Sequence, residues 1–118
     1  MFAVVVSVPP VAPEPEPPQG VWYVHSLSAP AVDVTGLDPT FLTQSVPIAK
    51  CESTHREAAV NLSGATGLMQ VMLPLHLPKA QALGYTGADL LRAEPNLRVA
   101  HVIWERQGWK PWSCWRGQ

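Results

Sequence analysis

Leu97, Ala100, Ile103 and Trp104 recur at three- and four-residue spacing, which predicts a helix with one buried face over residues 95–107. Glu94-Pro95-Asn96 marks its start and Gly108 its stop. Asp38-Pro39 predicts another helix start, with Phe41 and Leu42 on its apolar side. Pro47 should limit that helix. A fresh start at Ser45 then carries a second one to about Thr54, with Ile48 and Cys51 facing inward and Glu52 near the C-terminal end.

Between these segments the pattern is broken by small residues. Leu62 to Gly67 has the glycines of a tight turn, and Leu68 to Met72 is a short apolar element that Pro74 and Pro78 end. Lys79 to Leu83 predicts a helical turn closed by Gly84, and Thr86-Gly87-Ala88-Asp89 predicts a capping box ahead of Leu90-Leu91. The fold expected is mainly α: one small domain over 38–118, a linker over 21–37, and an arm over 1–20.

Composition sets the arm apart. Six of the 13 prolines lie in the first twenty residues, a density that favours extended polyproline II over any ladder or core. We expect a disordered arm, dispensable for chemistry and a candidate docking segment. The apolar run over residues 1–8 is too short to span a bilayer and has no positive residue ahead of it, so it is a poor signal peptide, and no membrane span is expected.

Charge divides along the chain. Residues 1–49 hold four acids and no Lys or Arg, whereas residues 50–118 carry a surplus of three positive charges. A basic domain suits an anionic polymer such as cell wall. Nucleic acid is not expected, because no basic run is interleaved with aromatics.

Cys51 and Cys114 are the only cysteines. The preferred expectation is a bridge closing a loop of about sixty residues, worth about 4 kcal/mol on the chain-entropy account; two buried reduced thiols are the alternative. The bridge would pin the Trp-rich C-terminal segment against the residue preceding Glu52. A metal site is not expected: Cys51-x-x-x-His55 is a half-site without a second half, and His25, His76 and His101 supply no spacing that completes it. Neither Ser nor Cys has the elbow or acid partner of a nucleophile, and no cofactor fingerprint is present.

The chemistry centres on Glu52. Glu52-Ser53, then Ala59-Val60-Asn61, then Gly64-Ala65-Thr66-Gly67-Leu68-Met69-Gln70 form an ordered combination. Over residues 47–115 this resembles the lysozyme-like lytic transglycosylases, the soluble-transglycosylase family related to goose-type lysozyme. The resemblance implies a minimal lysozyme-like domain in which the glycine-rich region passes beside the acid as a short β-like hairpin, and the helix after Glu94-Pro95-Asn96 packs behind it. It implies cleavage of the MurNAc-β-1,4-GlcNAc bond in peptidoglycan glycan strands. A single Glu acts there as acid and then as base, and the C6 hydroxyl closes a 1,6-anhydro ring.

Carried over residue by residue, the resemblance makes Glu52 the catalytic acid and Gln70 a cleft-lining side chain. Met69 borders the sugar, although core is its simpler role, and Thr66 and Ser53 are weaker substrate-binding candidates. Among the late tryptophans, Trp112 is the expected sugar contact and Trp104 core. Glu57, about 140° around a continued helix from Glu52, should be solvated. This chain lacks the family's late Tyr-Asn-Ala-Gly segment. It ends in Gly108-Trp109-Lys110-Pro111-Trp112, like the compact wall-lytic domains of actinobacteria and their phages, including the resuscitation-promoting group. The expected location is extracellular or facing the cell wall, with a phage-encoded or virion-associated origin among the options. A single-acid hydrolytic lysozyme and a non-catalytic wall-binding or virion module are the competing expectations.

Overall fold

The computed structural model describes residues 21–23 and 31–116, with side chains described for residues 32–115. The expected Pro-rich arm over 1–20 lies outside the described residues. Within them the chain is mainly helical: β1 (Val21–Tyr23), β2 (Ala31–Asp33), α1 (Pro39–Ser53), β3 (Ala65–Thr66), β4 (Val71–Met72), α2 (Leu73–Ala82), a 3₁₀ turn (Ala88–Leu91), α3 (Ala93–Gln107) and α4 (Ser113–Arg116). β1 pairs antiparallel with β2, and β3 antiparallel with β4, matching Ala65 with Met72 and Thr66 with Val71. No helix among the described residues is long and apolar enough to cross a membrane.

α1 begins as expected. The Asp38 carboxylate accepts from the backbone N–H of Thr40 at 2.7 Å and of Phe41, and Pro39 occupies the first turn, where its missing N–H costs nothing. The expected break at Pro47 does not occur, and one helix runs from Pro39 to Ser53. Pro47 lies on the exposed side of the helix, as does Thr43, whose carbonyl Pro47 cannot serve. Burial of Phe41, Ser45, Ile48 and Ala49 along one face holds the helix through the lost bond. Thr54 ends it in the left-handed region at φ 52°, its N–H closing on the last turn.

α2 departs from expectation for a similar reason. Pro74 stands in its first turn instead of ending an apolar element, and Pro78 lies inside the helix with His76 and Ala80 buried. The 3₁₀ turn is capped as predicted: Thr86 N–H donates to Asp89 Oδ2 at 2.7 Å, and Asp89 N–H donates back to Thr86 Oγ1 at 3.3 Å.

α3 begins two residues before its predicted start. Glu57 Oε2 accepts from Ala93 N–H at 2.9 Å, so a side chain from the loop after α1 satisfies an orphan donor of α3. Glu57 is exposed, as expected, and serves in addition as a cap for α3. Leu97, Ala100 and Ile103 are buried as the periodicity required, Trp104 is half-buried against them, and Gly108 closes the helix at φ 65°.

The core joins Phe41, Ile48, Leu68, Met69, Leu90, Leu97, Val99 and Ile103 to Trp109 and Trp112. Phe41 stacks on Trp109, with ring centroids 5.3 Å apart and 7° between planes, and meets His101 edge-on. Packing also reaches into the stretch expected as linker. Val34 is fully buried, and Arg98 donates to the carbonyls of Asp33 and Thr35. The folded unit therefore extends N-terminally past the expected boundary at residue 38.

Candidate active site

Glu52 occupies the last turn of α1, and the neighbouring Cys51 is bonded to Cys114 across a sequence separation of 63. That disulfide brings the first turn of α4 against the end of α1. Cys114 N–H donates to Glu52 Oε2 at 3.3 Å. The carboxyl is half-buried, and burial pushes its pKa above the ordinary glutamate value, with the Cys114 N–H pulling weakly the other way. Immediately after it, Thr54 and His55 both hold positive φ, at 52° and 59°. For a β-branched threonine this conformation is costly.

The other described carboxylates are engaged elsewhere. Asp38 caps α1, Glu57 caps α3, Asp89 pairs with Arg92 and Thr86, Glu94 with Arg98, and Glu105 lies 3.6 Å from His101. Asp33 and Asp89 are held below the ordinary aspartate value by hydrogen bonds, from Thr35 and from Thr86 and Arg92 respectively. Glu52 is the described carboxyl pushed the opposite way, toward keeping its proton, and such a group is a candidate for acid chemistry.

The β3–β4 hairpin is built around one buried amide that sequence reasoning passed over. Asn96 is fully buried. Its Oδ1 accepts from Met69 N–H at 2.7 Å, and its Nδ2 donates to the carbonyls of Thr66 and Leu90, each at 2.9 Å. Gly67 fits only because it has no side chain: a Cβ there would collide with the Leu90 carbonyl and the Asn96 amide, and its φ is +76°. Together these two residues seat the β3–β4 hairpin on α3. An Asn inside a helix carrying an apolar face was the available signal, since Asn disfavours helix interiors unless its amide has work to do.

The expected substrate-binding residues are placed unequally. Gln70, at φ 51°, donates from Nε2 to the carbonyls of Ala59 and Gly67, both at 3.0 Å, and accepts from Asn61 Nδ2, so its amide braces the loop while remaining partly exposed. Met69 is fully buried. Thr66 is buried, with Oγ1 donating to the Gly64 carbonyl, and Ser53 is buried, with Oγ donating back to Ala49 O. Trp112, 4% exposed, donates from Nε1 to Met69 O at 2.8 Å. These four side chains are structural in this conformation: an indole edge can be reached in a pocket, but no open face of Trp112 is offered for stacking.

That pocket is lined by Gln70, Val71, Met72, His76, Ile103, Pro111 and Trp112, and Glu52 is not among its walls. Buried His76 lines it, with Nδ1 lacking a hydrogen-bond partner; burial first, and the Lys79 charge second, push its pKa down. No three His, Cys, Asp or Glu side chains cluster as a metal site among the described residues, and the disulfide consumes both thiols. Set beside known proteins, the chain matches no protein-family model, no curated protein and no solved structure.

Proposed function

We propose that this chain is a peptidoglycan lytic transglycosylase, with Glu52 as its single acid and then base. The observation that carries the reading is Glu52 itself: a half-buried carboxyl at a helix end, its pKa raised by burial and unpaired with any described cation. Such a carboxyl can protonate a glycosidic oxygen as an oxocarbenium-like centre forms, and its conjugate base can then take the proton of the attacking hydroxyl. One acid is enough if that hydroxyl is the sugar's own at C6. The resemblance of Glu52-Ser53 and Gly67-Leu68-Met69-Gln70 to the lytic transglycosylases supports this choice of bond, and a disulfide fits an oxidising location outside the cytosol.

A second reading rests on the same hydrogen bond. Glu52 accepts from an N–H in the first turn of α4, so it could serve as a cap in a non-catalytic wall-binding module. Digestion of purified peptidoglycan followed by mass spectrometry separates the readings. Transglycosylation yields 1,6-anhydro-N-acetylmuramic acid ends, one water lighter than hydrolytic products. Reducing N-acetylmuramic acid ends alone would make it a single-acid lysozyme, and intact glycan would favour the binding module.

A further inference from the structure

The tryptophans of the C-terminal segment divide by exposure. Trp109 and Trp112 are 5% and 4% exposed, whereas Trp115 is 39% exposed. An exposed indole alone needs no explanation. Trp115, however, is exposed and fixed at once. Its backbone N–H donates to Trp112 O at 3.2 Å, the preceding residue is tied by disulfide to α1, and its ring stacks on Trp109 at 6.1 Å with 30° between planes. Trp109 is anchored in turn by Nε1 donating to Gln44 Oε1 at 2.7 Å.

Position adds a second argument. Cys114 N–H touches the Glu52 carboxylate, and the Trp115 Cα follows about 3.8 Å along the chain, so the indole lies within a few sugar units of the acid. A rigid aromatic face on that scale is what the apolar C–H face of a pyranose stacks against, and holding it in advance spares the ordering entropy of a free side chain. We infer that Trp115 is a carbohydrate-stacking platform that binds an N-acetylated pyranose of the glycan strand bound at Glu52. The inference rests on the glycan-cleaving reading above, and it moves the sugar contact from the buried Trp112 to its exposed neighbour.

The test uses the full chain carrying Glu52→Gln, so that soluble peptidoglycan oligosaccharides bind without being consumed. Adding Trp115→Ala should weaken affinity about three- to tenfold, and Trp115→Tyr should restore most of it. In case the alanine variant fails to fold, the indole N–H resonance of Trp115 in the Glu52→Gln protein should shift on titration with the same oligosaccharides. Unchanged affinity in folded Trp115→Ala, or an unmoved Trp115 resonance at saturation, overturns the inference even if the wild-type chain cleaves glycan. Affinity lost in Trp115→Ala with no cleavage by the wild type keeps the platform and removes the reaction. Absence of binding in every variant overturns the platform.

Discussion

Cys114 and Glu52 meet through a backbone N–H and a carboxylate oxygen 3.3 Å apart, and Cys114 is disulfide-bonded to the residue immediately before Glu52. The covalent link and the hydrogen bond thus both tie this turn of α1 to α4. The bridge fixes where α4 sits, and α4 supplies the N–H that pulls the Glu52 pKa down against the burial that raises it.

That burial has a signed consequence for stability. The folded chain holds the Glu52 proton above the pH at which the unfolded chain releases it, so the native state binds more protons across that interval. Stability therefore falls as pH rises from the ordinary glutamate value through the raised one. Thermal melts between about pH 4 and 7 should show this slope in the wild type and a flatter one in Glu52→Gln, with Tm at neutral pH equal or higher in the variant. A Gln variant less stable at every pH would mean that capping α4 is the residue's main role.

His76 acts with the opposite sign. Burial and the Lys79 charge disfavour its protonated form, so the unfolded chain takes up a proton first as pH falls below the ordinary histidine value, and stability is lost through that window. His76→Leu should flatten this limb and also remove the unpartnered Nδ1. The same melts check it, and an unchanged limb would show that His76 ionises freely.

Removing the bridge with Cys51→Ala and Cys114→Ala should cost about 4 kcal/mol in denaturant unfolding. For a small domain that is a large share of the total. A loss well under about 1 kcal/mol would mean the C-terminal segment is held by its tryptophans alone.

Asn96→Ala strands the Met69 N–H and the Thr66 and Leu90 carbonyls in a dry interior, each at about 1–3 kcal/mol. Chemical denaturation should register a loss of at least about 3 kcal/mol. Gly67→Ala should disturb the same seat by steric overlap. A mild effect from both would mean that the hairpin is not held through Asn96.

Much of this was legible in the residues, and the rest has physical reasons for having been hidden. Period-3.6 spacing placed the buried face of α3, Asp38-Pro39 placed the start of α1, and Thr86 with Asp89 placed a capping box, because each is a local signal with a local cause. Proline was over-read. At Pro47 and Pro78 one lost hydrogen bond is outweighed by side chains buried on the same helix, a tertiary effect that no local window carries. In the candidate site, Glu52 and the Cys51–Cys114 pair stood out, whereas the roles of Asn96 and Glu57 depend on Met69 and Ala93, 27 and 36 residues away. Trp112 and Trp115 differ by three positions on a short terminal turn, and only packing decides which indole is covered.

The most direct measurement is cleavage of purified peptidoglycan by the wild-type chain and by Glu52→Gln, each checked for fold by thermal melting. The side chains are nearly isosteric, and the Gln carbonyl can still accept from Cys114 N–H, so the variant should fold while losing the proton that the reaction requires. The account predicts release of anhydro-ended muropeptides by the wild type and a loss of about a hundredfold or more in the variant. Cleavage by folded Glu52→Gln at a rate near that of the wild type would contradict it.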